Sequence, residues 1–163
     1  MGSFIIGLDV DDDGIGKRVA EAAKHYGVDS MNALFLTPLP GTRLWDQMKS
    51  EERITLDNFP EDWRYYTLNF PVARYQRLSP TAVMKEMDDC NRTFYSVQGV
   101  ASRFWSSFWQ WRKPLINLIT NLSTRNNSRV ETKSYVDFER HLAARDTLRV
   151  RQPAPTRDSA PAA

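Results

Sequence analysis

Residues 31–42 read Met-Asn-Ala-Leu-Phe-Leu-Thr-Pro-Leu-Pro-Gly-Thr, an apolar run that stops abruptly at two prolines and a glycine. The run from Met31 to Leu36 predicts a buried β-strand. Pro38 and Pro40 have no backbone N–H to donate to a sheet, so the strand must end before them. Thr42 has the side chain of a helix N-cap. Because ligands of α/β folds bind at the carboxyl ends of strands, the sequence predicts a ligand site at this end of the strand, which we call the rim.

A second apolar run, Phe4 to Leu8, precedes this strand in the sequence. Between the two runs, a helix is predicted over Ile15 to Tyr26, with Gly27 at its C-cap. Two parallel strands joined by a helix form a right-handed βαβ unit. The sequence therefore predicts an α/β fold at its start, followed by a helix from Thr42 to about Glu52.

The later part of the chain predicts mostly helix. Ser79 and Pro80 are matched start signals, an N-cap and a first-turn proline. From Val83 to Phe108, apolar residues recur every three or four positions, which predicts one long helix with a mild break at a glycine. Further helices are predicted over Leu115–Leu122 and Ser134–Leu148.

Three regions follow from this pattern: an α/β segment over residues 1–78, a helical region over residues 79–148 and a tail over residues 149–163. A short strand is predicted over Tyr65–Asn69 within the first. The tail is rich in proline, alanine and serine, which predicts disorder.

Composition and cysteine content indicate a soluble class of protein. Of the 163 residues, 41% are hydrophobic and 26% are charged, as in ordinary globular domains. No apolar run is long enough to span a membrane, and the start does not resemble a signal peptide. Cys90 is the one cysteine, so it cannot form an internal disulfide or hold a metal alone. We expect a cytoplasmic protein with Cys90 buried in a helix.

The two parts of the chain differ in charge. Residues 1–62 carry 12 acidic and 6 basic side chains, whereas residues 63–163 carry 8 acidic and 16 basic ones. A basic region can bind nucleic acid or an anionic membrane surface. The basic residues are scattered rather than clustered, which favours a solvated face over a nucleic-acid site.

An acidic loop, Asp9 to Gly14, matches the opening of a calcium-binding EF-hand loop. The match fails at the twelfth position, where Ala20 replaces the bidentate glutamate. The neighbouring Gly14–Lys17 resembles a phosphate loop only in part, and three aspartates would repel a phosphate. His25 and His141 have no nucleophile pattern near them and are predicted as surface helix residues.

Three of the five tryptophans lie in the segment from Phe104 to Lys113. Aromatic residues beside Arg112 and Lys113 suit a membrane–water interface or a partner's groove. Aromatic residues also occur on all sides of the predicted helix, which favours internal packing instead. Both interpretations remain open at this point.

Five places in the sequence, in this order and spacing, carry a family resemblance: Phe4–Asp9, Leu36–Trp45, Glu51–Ile54, Asp62–Tyr66 and Leu78–Ser96. Together they resemble the late barrel segment of radical SAM enzymes, over residues 3–110. The most similar branch carries an N-terminal cobalamin-binding domain and includes methyltransferases and cyclases of lipids and tetrapyrroles. The resemblance implies an α/β fold, with a partial (β/α) barrel fragment of about two parallel strands and crossover helices. A mostly helical C-terminal region follows.

In that family, the carboxyl ends of these two strands face S-adenosylmethionine and the substrate. By position, the resemblance places Gly7 and Asp9 at the rim after the first strand, and Thr37 and Pro38 after the second. These are candidate cofactor-binding residues, as contacts rather than catalysts. The family's [4Fe–4S] cluster is held by a CxxxCxxC loop that this sequence lacks, and Cys90 does not replace it.

The resemblance therefore implies a fragment of a radical SAM enzyme that is inactive alone. Its partner would be the missing N-terminal half, which brings the cluster and, in this branch, cobalamin. We expect neither of these, nor S-adenosylmethionine, to bind tightly to this chain alone.

The alternative is a non-enzymatic adaptor that docks on a membrane or a protein through the Trp-rich helix. For the enzyme fragment, the resemblance and the apolar C-terminal helices imply a lipid substrate. Either interpretation allows a place at the periphery of a membrane, and we expect no nucleic-acid partner.

Overall fold

The computed structural model describes residues 1–109 and 114–151. Within them lies one sheet of two parallel strands, β1 (Gly2–Ile6) and β2 (Met31–Phe35). The strands pair from Gly2 opposite Met31 to Ile6 opposite Phe35. The predicted α/β class is confirmed, and so is the mostly helical character of the rest. A parallel pair is compatible with a barrel fragment, which stays a prediction.

Five α-helices and one 3₁₀ turn complete the described residues. They are α1 (Ile15–His25), α2 (Arg43–Ser50), the 3₁₀ turn (Trp63–Tyr65), α3 (Pro80–Phe94), α4 (Val97–Trp109) and α5 (Pro114–Arg151). Two of the predicted caps form: the Thr42 hydroxyl accepts from the Trp45 N–H at 3.3 Å, and Ser79 accepts from the Ala82 N–H at 3.1 Å. Local signals therefore set where α2 and α3 begin.

The prediction of one long helix from Pro80 to Phe108 is wrong, because the helix stops at Phe94. Tyr95 leaves the helical path, and its hydroxyl lies 2.6 Å from the Met31 carbonyl and 3.0 Å from the Met31 N–H. Ser96 then accepts from the Gly99 N–H at 3.2 Å at the start of α4. A hydrogen bond to a distant strand thus decides the break.

The predicted pair of helices after Pro114 is also wrong, since α5 is continuous from Pro114 to Arg151. No glycine or proline interrupts that range after its first residue, so no local signal breaks it. The predicted strand at Tyr65–Asn69 is replaced by the 3₁₀ turn and a bend, where the Leu68 carbonyl accepts from the Phe35 N–H at 2.9 Å. Of the predicted disordered tail, residues 149–151 belong instead to α5, and residues 152–163 lie outside the described residues.

Helices α1 and α3 cover one face of the sheet and form the main core with it. The buried side chains of this core include Ile6, Ala20, Ala23, Phe35, Val83, Met87, Cys90 and Phe94. The two helices pack backbone to backbone where Gly16 meets Glu86, since a Cβ at Gly16 would lie 1.9 Å from the Glu86 carbonyl oxygen. The Glu86 carboxylate accepts from the N–H groups of Gly14 and Gly16 at 2.9 and 2.8 Å. It thereby satisfies donors at the start of α1 that have no partner within the helix.

The opposite face of the sheet carries no helix among the described residues. On that face, the side chains of Ser3 and Asn32 are exposed, Ile5 is 50% exposed and Leu34 is partly buried. Within residues 1–109 and 114–151, no strand pairs with the outer edge of β1. Parallel sheets are normally covered on both faces, and a bare edge invites pairing with another strand.

A smaller apolar cluster joins α5 to the segment before α3. It is formed by Leu56, Tyr65, Val72 and Phe138. His141 follows on α5, and its Nε2 lies 2.9 Å from the fully buried Asp62 carboxylate. The sequence predicts His141 as a surface residue, but it is mostly buried, because α5 continues far enough to reach this cluster.

Cys90 is fully buried, as the helical periodicity predicts. Burial raises the pKa of its thiol to about 12. At pH 8 about one thiol in ten thousand is then ionised, against about one in four for an unperturbed cysteine. We expect iodoacetamide to alkylate the native chain about a hundredfold or more slowly than the chain unfolded in guanidinium, measured by mass spectrometry. Similar rates in the two states would contradict the buried position.

Candidate functional site

The loop after β1 is fixed by a buried carboxylate. Asp11 is 4% exposed, and its Oδ2 accepts from the N–H groups of Gly7 and Leu8, both at 2.8 Å. Gly7 itself has a φ of +102°, a conformation that side chains disfavour. The acidic loop is therefore a structural turn in which this carboxylate binds backbone donors rather than a cation.

Tyr75 covers the carboxyl end of the sheet. Its ring lies so near Gly7 that a Cβ there would be 2.5 Å from the ring's Cε1 atom. Its hydroxyl donates to the Leu36 carbonyl at 3.2 Å, and burial raises the pKa of that hydroxyl. Gly7 has no Cβ, so the Tyr75 ring can pack directly against its backbone. Tyr75 thus spans the carboxyl ends of β1 and β2.

Asp9 belongs to an ion-pair network around a buried arginine. Arg53 is 8% exposed, and its two terminal nitrogens lie 2.5 and 3.3 Å from the Asp9 carboxylate oxygens. It also binds Glu51 at 2.9 Å and the Arg74 carbonyl at 2.8 Å. The hydrogen bond to Asp9 raises the pKa of Arg53, and the hydrogen bond from Arg53 lowers that of Glu51. Gln76 donates to Asp9 at 3.2 Å, so the carboxylate is held in one orientation.

Thr37 and Pro38 direct the chain away from β2. Both side chains are buried, and the Thr37 hydroxyl donates to the Phe35 carbonyl at 3.1 Å. Gly7 is also buried, and Asp9 is the one of the four predicted contact residues that is partly exposed. The parallel strands bring all four to one end of the sheet, where their contact with a cofactor stays a prediction.

Apolar side chains surround this end of the sheet. Leu8 is 42% exposed, Val10 71% and Leu39 41%. The rim thus combines one oriented carboxylate with exposed aliphatic groups. Such a surface can accept a hydrogen bond from an amine or hydroxyl and cover an apolar group beside it.

Arg53 and Tyr75 were not among the predicted site residues. Arg53 lies 44 positions from Asp9, and Tyr75 lies 39 positions from Leu36. The one available signal was Glu51-Glu52-Arg53 within the family resemblance, which assigned no role to the arginine.

The described residues contain no group of three or more His, Cys, Asp or Glu side chains that could hold a metal ion. Cys90 is buried in the core with a raised pKa, so its thiol is a poor ligand. These donors do not fit a [4Fe–4S] cluster, which needs several thiolates.

A polar cleft of about 690 Å³ lies at the other end of the sheet. Lys24, Asp29, Ser102 and Arg103 are among its lining residues, which belong to the end of α1, the turn before β2 and α4. Because it adjoins the amino end of β2, it is separate from the rim.

Replacing Arg53 with methionine should weaken the fold by about 1–3 kcal/mol, since it removes charge-assisted hydrogen bonds from a buried site. The measurement is urea unfolding at pH 7. Arg18→Met is the matched control, because Arg18 pairs with Asp12 at the surface and both side chains are more than half exposed. We expect a change below about 0.5 kcal/mol there. Equal losses in the two variants would show that the Arg53 network adds no more than a surface pair.

Comparison with known proteins gives one distant similarity. Over 95 residues, 58% of this chain, the sequence is 28% identical to an uncharacterized methyltransferase of Pyrococcus horikoshii. The matched segment spans 20% of that relative's length. No protein-family model matches the chain, and no solved structure matches it.

Proposed function

We propose that this chain is one part of an S-adenosylmethionine-dependent methyltransferase of the radical SAM type. In this proposal β1 and β2 are two strands of a larger parallel sheet. The strands that complete the sheet, and the ligands of the cluster, belong to another segment or chain. The proposal places the chain with the branch of these enzymes that carries an N-terminal cobalamin-binding domain.

The observation that carries the proposal is the bare edge of β1 beside an uncovered sheet face. Ile5 is half exposed at the centre of that face, although β-strands of this type are usually buried on both sides. Further strands beside β1 would continue the rim, and if they curve into a barrel, Ile5 would lie in its interior. The similarity to a fifth of a much longer methyltransferase supports the same arrangement.

The rim supplies groups suited to S-adenosylmethionine. Asp9 keeps part of its carboxylate exposed while Arg53 and Gln76 fix its direction. It can accept a hydrogen bond from an amine or hydroxyl, and Leu8 and Leu39 can cover an apolar part of the ligand. The bound iron–sulfur cluster would supply the radical chemistry, and this chain's own donors do not fit it.

The test is to isolate the native assembly from its source cells with an antibody to this chain. We expect that assembly to contain iron and to consume S-adenosylmethionine under anaerobic, reducing conditions. The purified 163-residue chain should show neither property. Stoichiometric iron–sulfur absorbance from the chain alone, or a native assembly without iron, would overturn the proposal.

Hydrogen exchange gives a second test that needs no partner. With one edge and one face of the sheet uncovered, the β1 amides should exchange faster than the α3 amides at Met87 and Cys90. Slow, global protection of both strands in the isolated monomer would count against a sheet that requires completion.

A further inference from the structure

The first turns of α5 carry apolar side chains on the side that faces solvent. Leu115 is 68% exposed, Ile116 56%, Ile119 66% and Leu122 48%. Three of them are spaced by four and three positions, at 115, 119 and 122, so they form one stripe along the helix. Trp105 on the adjacent α4 is 66% exposed as well. We call these five residues the apolar tip.

The one fully buried side chain described in the same turns is polar. Asn121 is 2% exposed, and its amide oxygen accepts from Arg103 of α4 at 2.8 Å. Its amide nitrogen donates to the Asp29 carbonyl at 3.1 Å. A surface helix in water normally turns its aliphatic side chains inward and its amides outward. Here one amide is buried while four aliphatic side chains are exposed, so the solvent-facing stripe suits an apolar environment.

These hydrogen bonds also fix the tip to the body of the protein. Asn121 connects α5 to α4 and to the turn before β2, and Arg103 donates to the Phe94 carbonyl at 3.0 Å and stacks 4.1 Å from that ring's centroid. The apolar tip is therefore presented in a fixed orientation.

The charge of the same segment favours an anionic partner. From residue 97 to residue 130 the sequence has five basic residues and no acidic one. Arg112 and Lys113 fall between α4 and α5 in the sequence. Aliphatic and tryptophan side chains together with lysine and arginine are typical of helices that lie in the interface of an anionic bilayer. None of the described helices is long and apolar enough to cross a membrane, so the contact is interfacial.

We propose that the apolar tip docks this protein on an anionic membrane surface. The aliphatic side chains of α5 and Trp105 enter the headgroup region. The positive charge of residues 104–130 attracts the anionic headgroups, whereas Arg103 stays bound to Asn121 and Phe94. The inference goes beyond the proposed function and does not depend on it, because it needs neither cofactor nor cluster.

Co-sedimentation with vesicles of phosphatidylcholine and phosphatidylglycerol tests the proposal. The full chain should bind vesicles rich in phosphatidylglycerol and bind phosphatidylcholine vesicles at least about tenfold more weakly. Binding should fall at high salt, since the basic residues attract lipids through screened charges. Failure to bind the anionic vesicles would overturn the proposal.

Two single variants locate the contact. Ile119→Gln should weaken partitioning about tenfold, because an exposed aliphatic group that would enter the bilayer becomes polar. Val136→Gln, at a position on the same helix that is 44% exposed and outside the tip, should bind like the unmodified chain. Both variants should keep the helical circular dichroism signal and thermal midpoint, as both side chains face solvent.

Self-association is the competing explanation for the apolar tip. Sedimentation velocity without lipid distinguishes the two. A monomer supports the membrane proposal, whereas a dimer that Ile119→Gln dissociates would assign the tip to a second copy and overturn it. Equal vesicle binding by Ile119→Gln and the unmodified chain would overturn it as well.

Discussion

Replacing Gly16 with alanine should destabilise the protein by about 3 kcal/mol or more, although alanine is the better helix former. The added Cβ would lie 1.9 Å from the Glu86 carbonyl oxygen and 3.1 Å from the Cys90 amide nitrogen. Both atoms belong to the backbone of α3, so no rotamer change can relieve the overlap. Helix α1 must move away from α3, which opens the main core and lengthens the hydrogen bonds from Gly14 and Gly16 to Glu86.

Urea unfolding of Gly16→Ala beside Gly27→Ala measures this effect. Gly27 follows the same helix, has a φ of +67° and has nothing within 4 Å of its Cβ position. Its substitution should cost about 1–2 kcal/mol from backbone strain alone. A stabilised Gly16→Ala protein, as helix propensity alone would give, would show that the two helices do not touch at this point.

Replacing Gly7 with alanine should also cost about 3 kcal/mol or more, for two combined reasons. The φ of +102° strains any residue with a Cβ, and that Cβ would lie 2.5 Å from the Tyr75 ring. Gly14→Ala separates the two causes, because Gly14 has a φ of +85° but its nearest neighbour would be 3.5 Å away. The Gly7 variant should therefore lose more free energy of unfolding than the Gly14 variant.

A double-mutant cycle identifies the source of the Gly7 effect. Tyr75→Ala removes the ring that the new Cβ would meet, so Gly7→Ala should cost about 1–2 kcal/mol less in that background. This relief is specific to an overlap with a side chain, and Gly16 offers no equivalent. Strict additivity of the two substitutions would show that Tyr75 does not cover Gly7.

Much of the fold follows from short-range patterns. Apolar runs located both strands to within about two residues, and the caps at Thr42 and Ser79 located two helix starts. Where the predicted long helix breaks, the deciding contact is distant: Tyr95 ends α3 because its hydroxyl binds Met31, 64 positions earlier. No local pattern contains that information.

The strands are predictable from the sequence, whereas most of the rim is not. The position of Thr37 and Pro38 follows from the end of an apolar run, yet their side chains turn inward. The polar groups that shape the rim come from the chain after α2, where Arg53 and Tyr75 reach back to the first strand and its loop. A buried arginine has the same sequence signature as an exposed one, so its role becomes visible only when its partners are in place.

Helix α5 is one continuous, rigid helix that connects two parts of the molecule. Its 38 residues correspond to a length of about 57 Å at 1.5 Å per residue. Near its start, Asn121 hydrogen-bonds to the turn before β2. Towards its other end, Phe138 packs in the cluster with Tyr65, and His141 contacts the Asp62 carboxylate. If the first turns of α5 tilt, the far part of the same rigid helix moves with them. The residues that this far part contacts precede Tyr75 in the sequence, so they would be displaced as well. The apolar tip and the rim at the carboxyl end of the sheet are thereby mechanically connected.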